Sequence, residues 1–184
     1  MPAHPSDILD FWRAAGPRRW FAKDDAFDAA IRLKFEPTHH AAARGQYDRW
    51  RETPEGALAL VIALDQFPRN LYRGSAHAFA TDPLARHVAT AAIELGHDRA
   101  GPVDLRSFFY LPFEHSENMA DQDRSVALCE ALTAETGNDG FLKWALDHRD
   151  VIARFGRFPH RNRALGRITT PEEQAFPDEG GFSG

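Results

Sequence analysis

The stretch Thr53-Pro54-Glu55-Gly56-Ala57-Leu58-Ala59-Leu60-Val61-Ile62-Ala63-Leu64-Asp65-Gln66-Phe67-Pro68-Arg69-Asn70 decides the fold class. Its opening is a helix start by chemistry. Thr53 can cap, Pro54 stands where an N–H is superfluous, and Glu55 faces the positive end of the helix dipole. The residues that follow are apolar nearly all round, so the helix they form belongs at the centre of the molecule. The stripe of Leu58, Val61 and Ile62 runs on to Asp65, which therefore points inward. A buried carboxylate needs a partner, and Arg69 or Arg73 nearby, or Arg157 or Arg161 from afar, could supply it. At Phe67-Pro68 the helix is expected to stop.

Working outward, every convincing apolar pattern has the helical period. Ser6 can cap a helix with Ile8, Phe11 and Trp12 on one face. Asp24 and Asp25 precede the stripe Phe27, Ile31 and Phe35, which Pro37 is expected to kink or end. Thr81-Asp82-Pro83 opens a helix closed at Gly96, and Asp121 or Asp123 opens one closed around Gly137. Phe141, Trp144, Ala145, His148, Val151, Ile152 and Phe155 form the clearest stripe, ended by Gly156. Thr170-Pro171-Glu172-Glu173 begins a last turn. No segment alternates with period two, so the fold class is all-α. Short connections and these helix lengths fit antiparallel helix pairs stacked in a curved layer. They predict a single all-helical domain over 1–176 and a loose tail over 177–184.

The chain of 184 residues is long enough to bury about 70% of its unfolded surface. A net charge of −5 argues against non-specific attraction to nucleic acid or anionic membrane. The longest apolar run, Ala57 to Leu64, is far short of the roughly 20 residues a membrane helix needs. The start, Met1-Pro2-Ala3-His4-Pro5, carries no signal-peptide pattern, so a cytoplasmic protein is expected. The lone Cys129 excludes an intrachain disulfide and sits among apolar residues without a cationic neighbour. Arginine outnumbers lysine 19 to 3, so any binding site is expected to use forked guanidinium donors, suited to carboxylate or phosphate.

Three segments concentrate the polar chemistry. The first, Asp65-Gln66-Phe67-Pro68-Arg69-Asn70-Leu71-Tyr72-Arg73, nearly repeats in Phe158-Pro159-His160-Arg161-Asn162. That second copy lies inside Arg154 to Arg167, which holds five arginines and no acid. It could cradle an anion, or the following acids Glu172, Glu173, Asp178 and Glu179 could neutralise it. Between the copies lies Leu111-Pro112-Phe113-Glu114-His115-Ser116-Glu117. A carboxylate beside a histidine is a candidate acid/base pair. Glu114, His115, Glu117 and Asp121 also offer metal ligands, but their spacing matches no metal motif, and neither metal nor cofactor is expected. There is no phosphate-binding glycine loop and no nucleophile elbow. His39-His40 is expected to be partly exposed, His148 to be a core histidine, and the four tryptophans to be core anchors.

Taken together, the three segments closely resemble the bacterial family called domain of unknown function 924. The likeness runs from Ile8-Leu9-Asp10-Phe11-Trp12 to Thr170-Pro171-Glu172-Glu173. The resemblance implies an all-helical, tetratricopeptide-like superhelical fold. It implies no activity, and no catalytic residue is carried over from it.

The leading expectation is a polar pocket where the three segments converge. Asp65, Arg69, Asn70, Arg73, Arg157, His160, Arg161 and Asn162 would hold a small anionic ligand or an acidic peptide end. Glu114 and His115 would be the catalytic pair if there is chemistry. One rival is a non-enzymatic helical-repeat adaptor that binds a protein segment. Another is a buried ion network with no ligand. Nucleic-acid binding is disfavoured, and a homodimer through a helix face is compatible with the many phenylalanines.

Overall fold

The computed structural model describes residues 3–178. Among these residues the regular structure is helical and no strand occurs. The chain divides into two compact units, residues 1–73 with 77–112, and residues 74–76 with 113–184.

The first unit contains α1 (Pro5–Ala15), α2 (Pro17–Trp20), α3 (Asp25–Ala43), α4 (Pro54–Val61), α5 (Phe67–Leu71), α6 (Asp82–Glu94) and α7 (His97–Ala100). Its core is an aromatic cluster. Trp12 meets Phe67 and Phe108 edge-on at 5.9 and 5.6 Å, and Phe35 stacks on Phe67 at 5.1 Å. Such ring pairs add to the gain from burying large apolar area. Helix α4 is buried from Gly56 to Val61, as its all-round apolar sequence requires.

Two prolines do not end their helices. At Pro37, α3 runs on to Ala43. The carbonyl it would deprive belongs to Leu33, which is 85% exposed and open to water. At Pro68 the expected stop is replaced by a π-helical turn over Ile62–Gln66, after which α5 continues to Leu71. The Phe67 N–H reaches back five residues to the Ile62 carbonyl. That shift releases the Ala63 carbonyl, and Pro68 has no N–H for that of Leu64. Both are served from outside. His39 donates from Nδ1 to Ala63 O at 2.9 Å, and Thr81 donates from its hydroxyl to Leu64 O. Arg69 donates to Asp65 O. His39 is thus buried rather than partly exposed, while His40 beside it is exposed. Burial holds the His39 pKa below the ordinary imidazole value.

Helix α8 (Leu111–Glu114) leads into the second unit. There α9 (Met119–Thr136) and α10 (Gly140–Phe155) form a helical hairpin, followed by α11 (Asn162–Leu165) and α12 (Pro171–Asp178). Asn118, rather than either later aspartate, caps α9 by accepting from the Ala120 N–H at 2.8 Å. Gly137 and Gly156 close α9 and α10 in the left-handed conformation, at φ 73° and 67°. Val151, Ile152 and Phe158 make a buried cluster, packed by Met119, Phe155 and Phe176. Trp144 is half exposed and is no core anchor, whereas Trp12 and Trp20 are. The helix α12 extends past the expected start of the tail to Asp178; the rest of the tail lies outside the described residues.

Candidate functional site

The first polar segment forms its contacts within the first unit. Asp65 is fully buried. Its Oδ2 accepts from Gln66 Nε2 at 2.6 Å, and its Oδ1 lies 3.6 Å from Arg69. Arg69 forks onto both oxygens of Asp82 at 3.0 Å each. One guanidinium therefore serves two buried carboxylates, the arrangement that makes such burial tolerable. Asn70 donates to Asp28 Oδ1 at 2.8 Å, and Arg73 donates to both oxygens of the same carboxylate. Although burial opposes it, Arg73 and Asn70 hold the Asp28 pKa below the usual carboxylate range.

The second and third segments meet within the second unit, in two arrangements. One is an ion network at α11 and α12. Arg157 forks onto Glu173, whose oxygen also accepts from Asn162 Nδ2 at 3.1 Å and from the Thr170 N–H at 2.8 Å. Arg157 is the main reason the Glu173 pKa falls to about 2. Arg167 forks onto Glu117 at 2.7 and 3.0 Å, and Glu117 also accepts from the Phe158 N–H at 2.8 Å. Arg154 pairs with Glu172 at 3.1 Å. The acids that follow the basic run thus neutralise part of it, and Glu117 from the middle segment takes a further share.

The other arrangement is a cluster around Phe158. Glu114 and Arg161 are buried, and His115 and His160 are half-buried. To these the structure adds His148 from α10, also buried. The Arg161 guanidinium lies over the Phe158 ring at 4.4 Å, and the His160 and His148 rings lie 5.5 Å from it. His115 approaches His148 edge-on at 6.2 Å. His148 Nδ1 lies 2.8 Å from the Trp144 carbonyl, which can only accept, so the proton sits on Nδ1 and Nε2 keeps its lone pair. Glu114 Oε1 is 3.3 Å from the same Nδ1.

Burial pushes the His148 pKa down to about 3, and the positive charges of His115, His160 and Arg161 push the same way. The Glu114–His148 contact is therefore one between a carboxyl group and a neutral imidazole. A neutral imidazole with a lone pair on Nε2 can accept a hydrogen bond or a proton, but at that pKa it is a weak base. Read from sequence, His148 was a core histidine. Its place on an apolar stripe carried no signal of its neighbours, which arrive from the loops around Glu114 and Phe158.

Cys129 is buried, with its thiol pushed up to about 12, chiefly by burial. Among the described residues no group of three or more histidine, cysteine or acidic side chains has the geometry to hold a metal ion. No helix among them is long and apolar enough to cross a membrane.

No functionally curated protein matches the chain. A solved structure of a protein of unknown function from Agrobacterium tumefaciens is similar to it, with 52% identity and a TM-score of 0.90. The match covers 96% of this chain and 97% of that one. The family model described as "Bacterial protein of unknown function (DUF924)" matches residues 8–181. With nearly its whole length matched, the chain belongs to this family of bacterial proteins.

Proposed function

We propose that the second unit binds a small anion, a carboxylate or phosphate group of a metabolite or of an acidic peptide end, at the cluster around Phe158. Arg161 supplies the positive charge, the imidazoles of His160 and His115 stand with it, and Glu114 is the acid/base partner of His148. The observation that carries this reading is the gathering of two imidazoles and one guanidinium around the Phe158 ring, with a third imidazole, His115, against His148. The charges that depress the protonation of His148 would be offset by an incoming anion. For Asp65, Arg69, Asn70, Arg73, Arg157 and Asn162, the carboxylate and amide partners described above support a structural role. The reading is of a cytoplasmic protein with helix pairs of the tetratricopeptide-like kind.

The test is a nuclear magnetic resonance titration of the imidazoles with phosphate and with small dicarboxylates. Binding is expected to raise the His148 pKa, and the response is expected to vanish in Arg161→Gln. If millimolar probes leave every imidazole resonance unmoved while the protein stays folded, the anion reading is wrong.

A further inference from the structure

An open cleft of about 560 Å3 lies in the first unit, within the range of roughly 300–1,000 Å3 common for small-ligand sites. One wall is a stripe of α3, where Asp25, Asp28, Arg32 and Leu33 recur at helical spacing. The other wall is the end of α5 and the turn after it, from Asn70 to Arg73, and Lys23 also lines the cleft. The wall charges are committed. Asp28 takes Arg73 and Asn70, while Arg32 takes Glu36 at 3.2 Å and the Leu71 carbonyl. Tyr72 is held by its hydroxyl, 3.2 Å from Glu36 and 3.1 Å from His40 Nε2.

Two lining charges remain outside these pairs. Lys23 and Asp25 are exposed, of opposite sign, and in no ion pair among the described residues. The cleft also offers apolar surface from the half-buried Tyr72 and the 85% exposed Leu33. A pure anion entering here meets Asp25, and a pure cation meets Lys23. A molecule bearing both charges satisfies both groups and can lay hydrocarbon on Leu33 and Tyr72.

We propose that this cleft is a binding site for a small zwitterion with an apolar side chain, of free amino-acid or dipeptide size. Lys23 and the outer N–H groups of Arg73 face the carboxylate, and Asp25 faces the ammonium. The site uses none of the cluster around Phe158 and stands or falls separately from it.

Calorimetric titration with leucine, leucyl-leucine, N-acetyl-leucine and leucinamide tests the proposal. The two zwitterions are expected to bind, with their ratio setting the size of the ligand, and each capped form to bind at least about tenfold more weakly. Asp25→Asn is expected to weaken leucine and strengthen N-acetyl-leucine, and Lys23→Gln to weaken leucine and strengthen leucinamide. Both residues are exposed, so the variants fold. His160→Ala, in the second unit, is expected to leave these titrations unchanged. N-acetyl-leucine binding as well as leucine would make the cleft an anion site, and the absence of heat with all four probes would remove it. Variants that bind every probe like the parent would overturn the assignment of Lys23 and Asp25.

Discussion

Asp65 in the first unit and Glu114 in the second are both carboxylates with almost no exposure, 0% and 3%, and both end an apolar stretch. Their surroundings follow opposite chemistry. Asp65 faces an amide and a guanidinium, and a guanidinium stays charged at any pH the protein meets. Glu114 faces an imidazole that burial and neighbouring cations keep neutral. A carboxylate paired with arginine locks a backbone in place. One placed against a suppressed histidine can change state when the local charge changes.

The comparison can be broken most decisively at Arg69. Arg69→Ala takes the shared guanidinium from Asp65 and Asp82 and is expected to cost about 3–5 kcal/mol. A urea midpoint close to that of the parent would show that the π-turn does not depend on this pair. The second unit is tested by pH. Above the ordinary imidazole value of 6.5, His148 is neutral both folded and unfolded. As pH falls below it, the unfolded chain takes a proton that the folded chain, with its value at about 3, refuses, so stability drops. At about pH 4.5 the loss from this one group is about 2–3 kcal/mol. It is measured as the difference between parent and His148→Gln in urea unfolding at neutral and acid pH. Equal slopes in the two proteins would mean that His148 is not suppressed.

A smaller effect is expected at the π-turn. Thr81→Val removes the donor to the Leu64 carbonyl and should cost about 1–3 kcal/mol, with the overall helical content unchanged by circular dichroism. The smallest sharpens the contrast from the other side. His160→Ala should change stability by no more than about 1 kcal/mol. It should nonetheless raise the His148 pKa, because it deletes one of the charges that depress it. A large loss of stability with no change at His148 would make His160 a packing residue instead.

Much of the first carboxylate's setting was legible in the sequence. The apolar stripe through Leu58, Val61 and Ile62 put Asp65 inside, and Arg69, four residues on, is the local partner the pattern suggested. The π-turn was not legible. It depends on His39 and Thr81, which lie 24 and 17 residues from the carbonyls they serve, and local propensity has no access to such distances. The same limit applies in the second unit. Sequence adjacency paired Glu114 with His115, but the helical hairpin brings His148 to the carboxylate across 34 positions of chain. For Arg154 and Arg157 the sequence offered the right partners only as one of two alternatives, since Glu172 and Glu173 follow 18 and 16 residues on while an anion cradle remained the other reading. The partner of Arg167, Glu117, was not among them.

The buried thiol of Cys129 makes the second unit a clock. Facing Ser125 inside the α9 interface and ionising only near 12, it reacts with aqueous disulfide reagents only when the hairpin opens. Since the chain has no second cysteine, the rate at which a chromogenic disulfide titrates the native protein measures how often that interior meets water, with no label and no mutation.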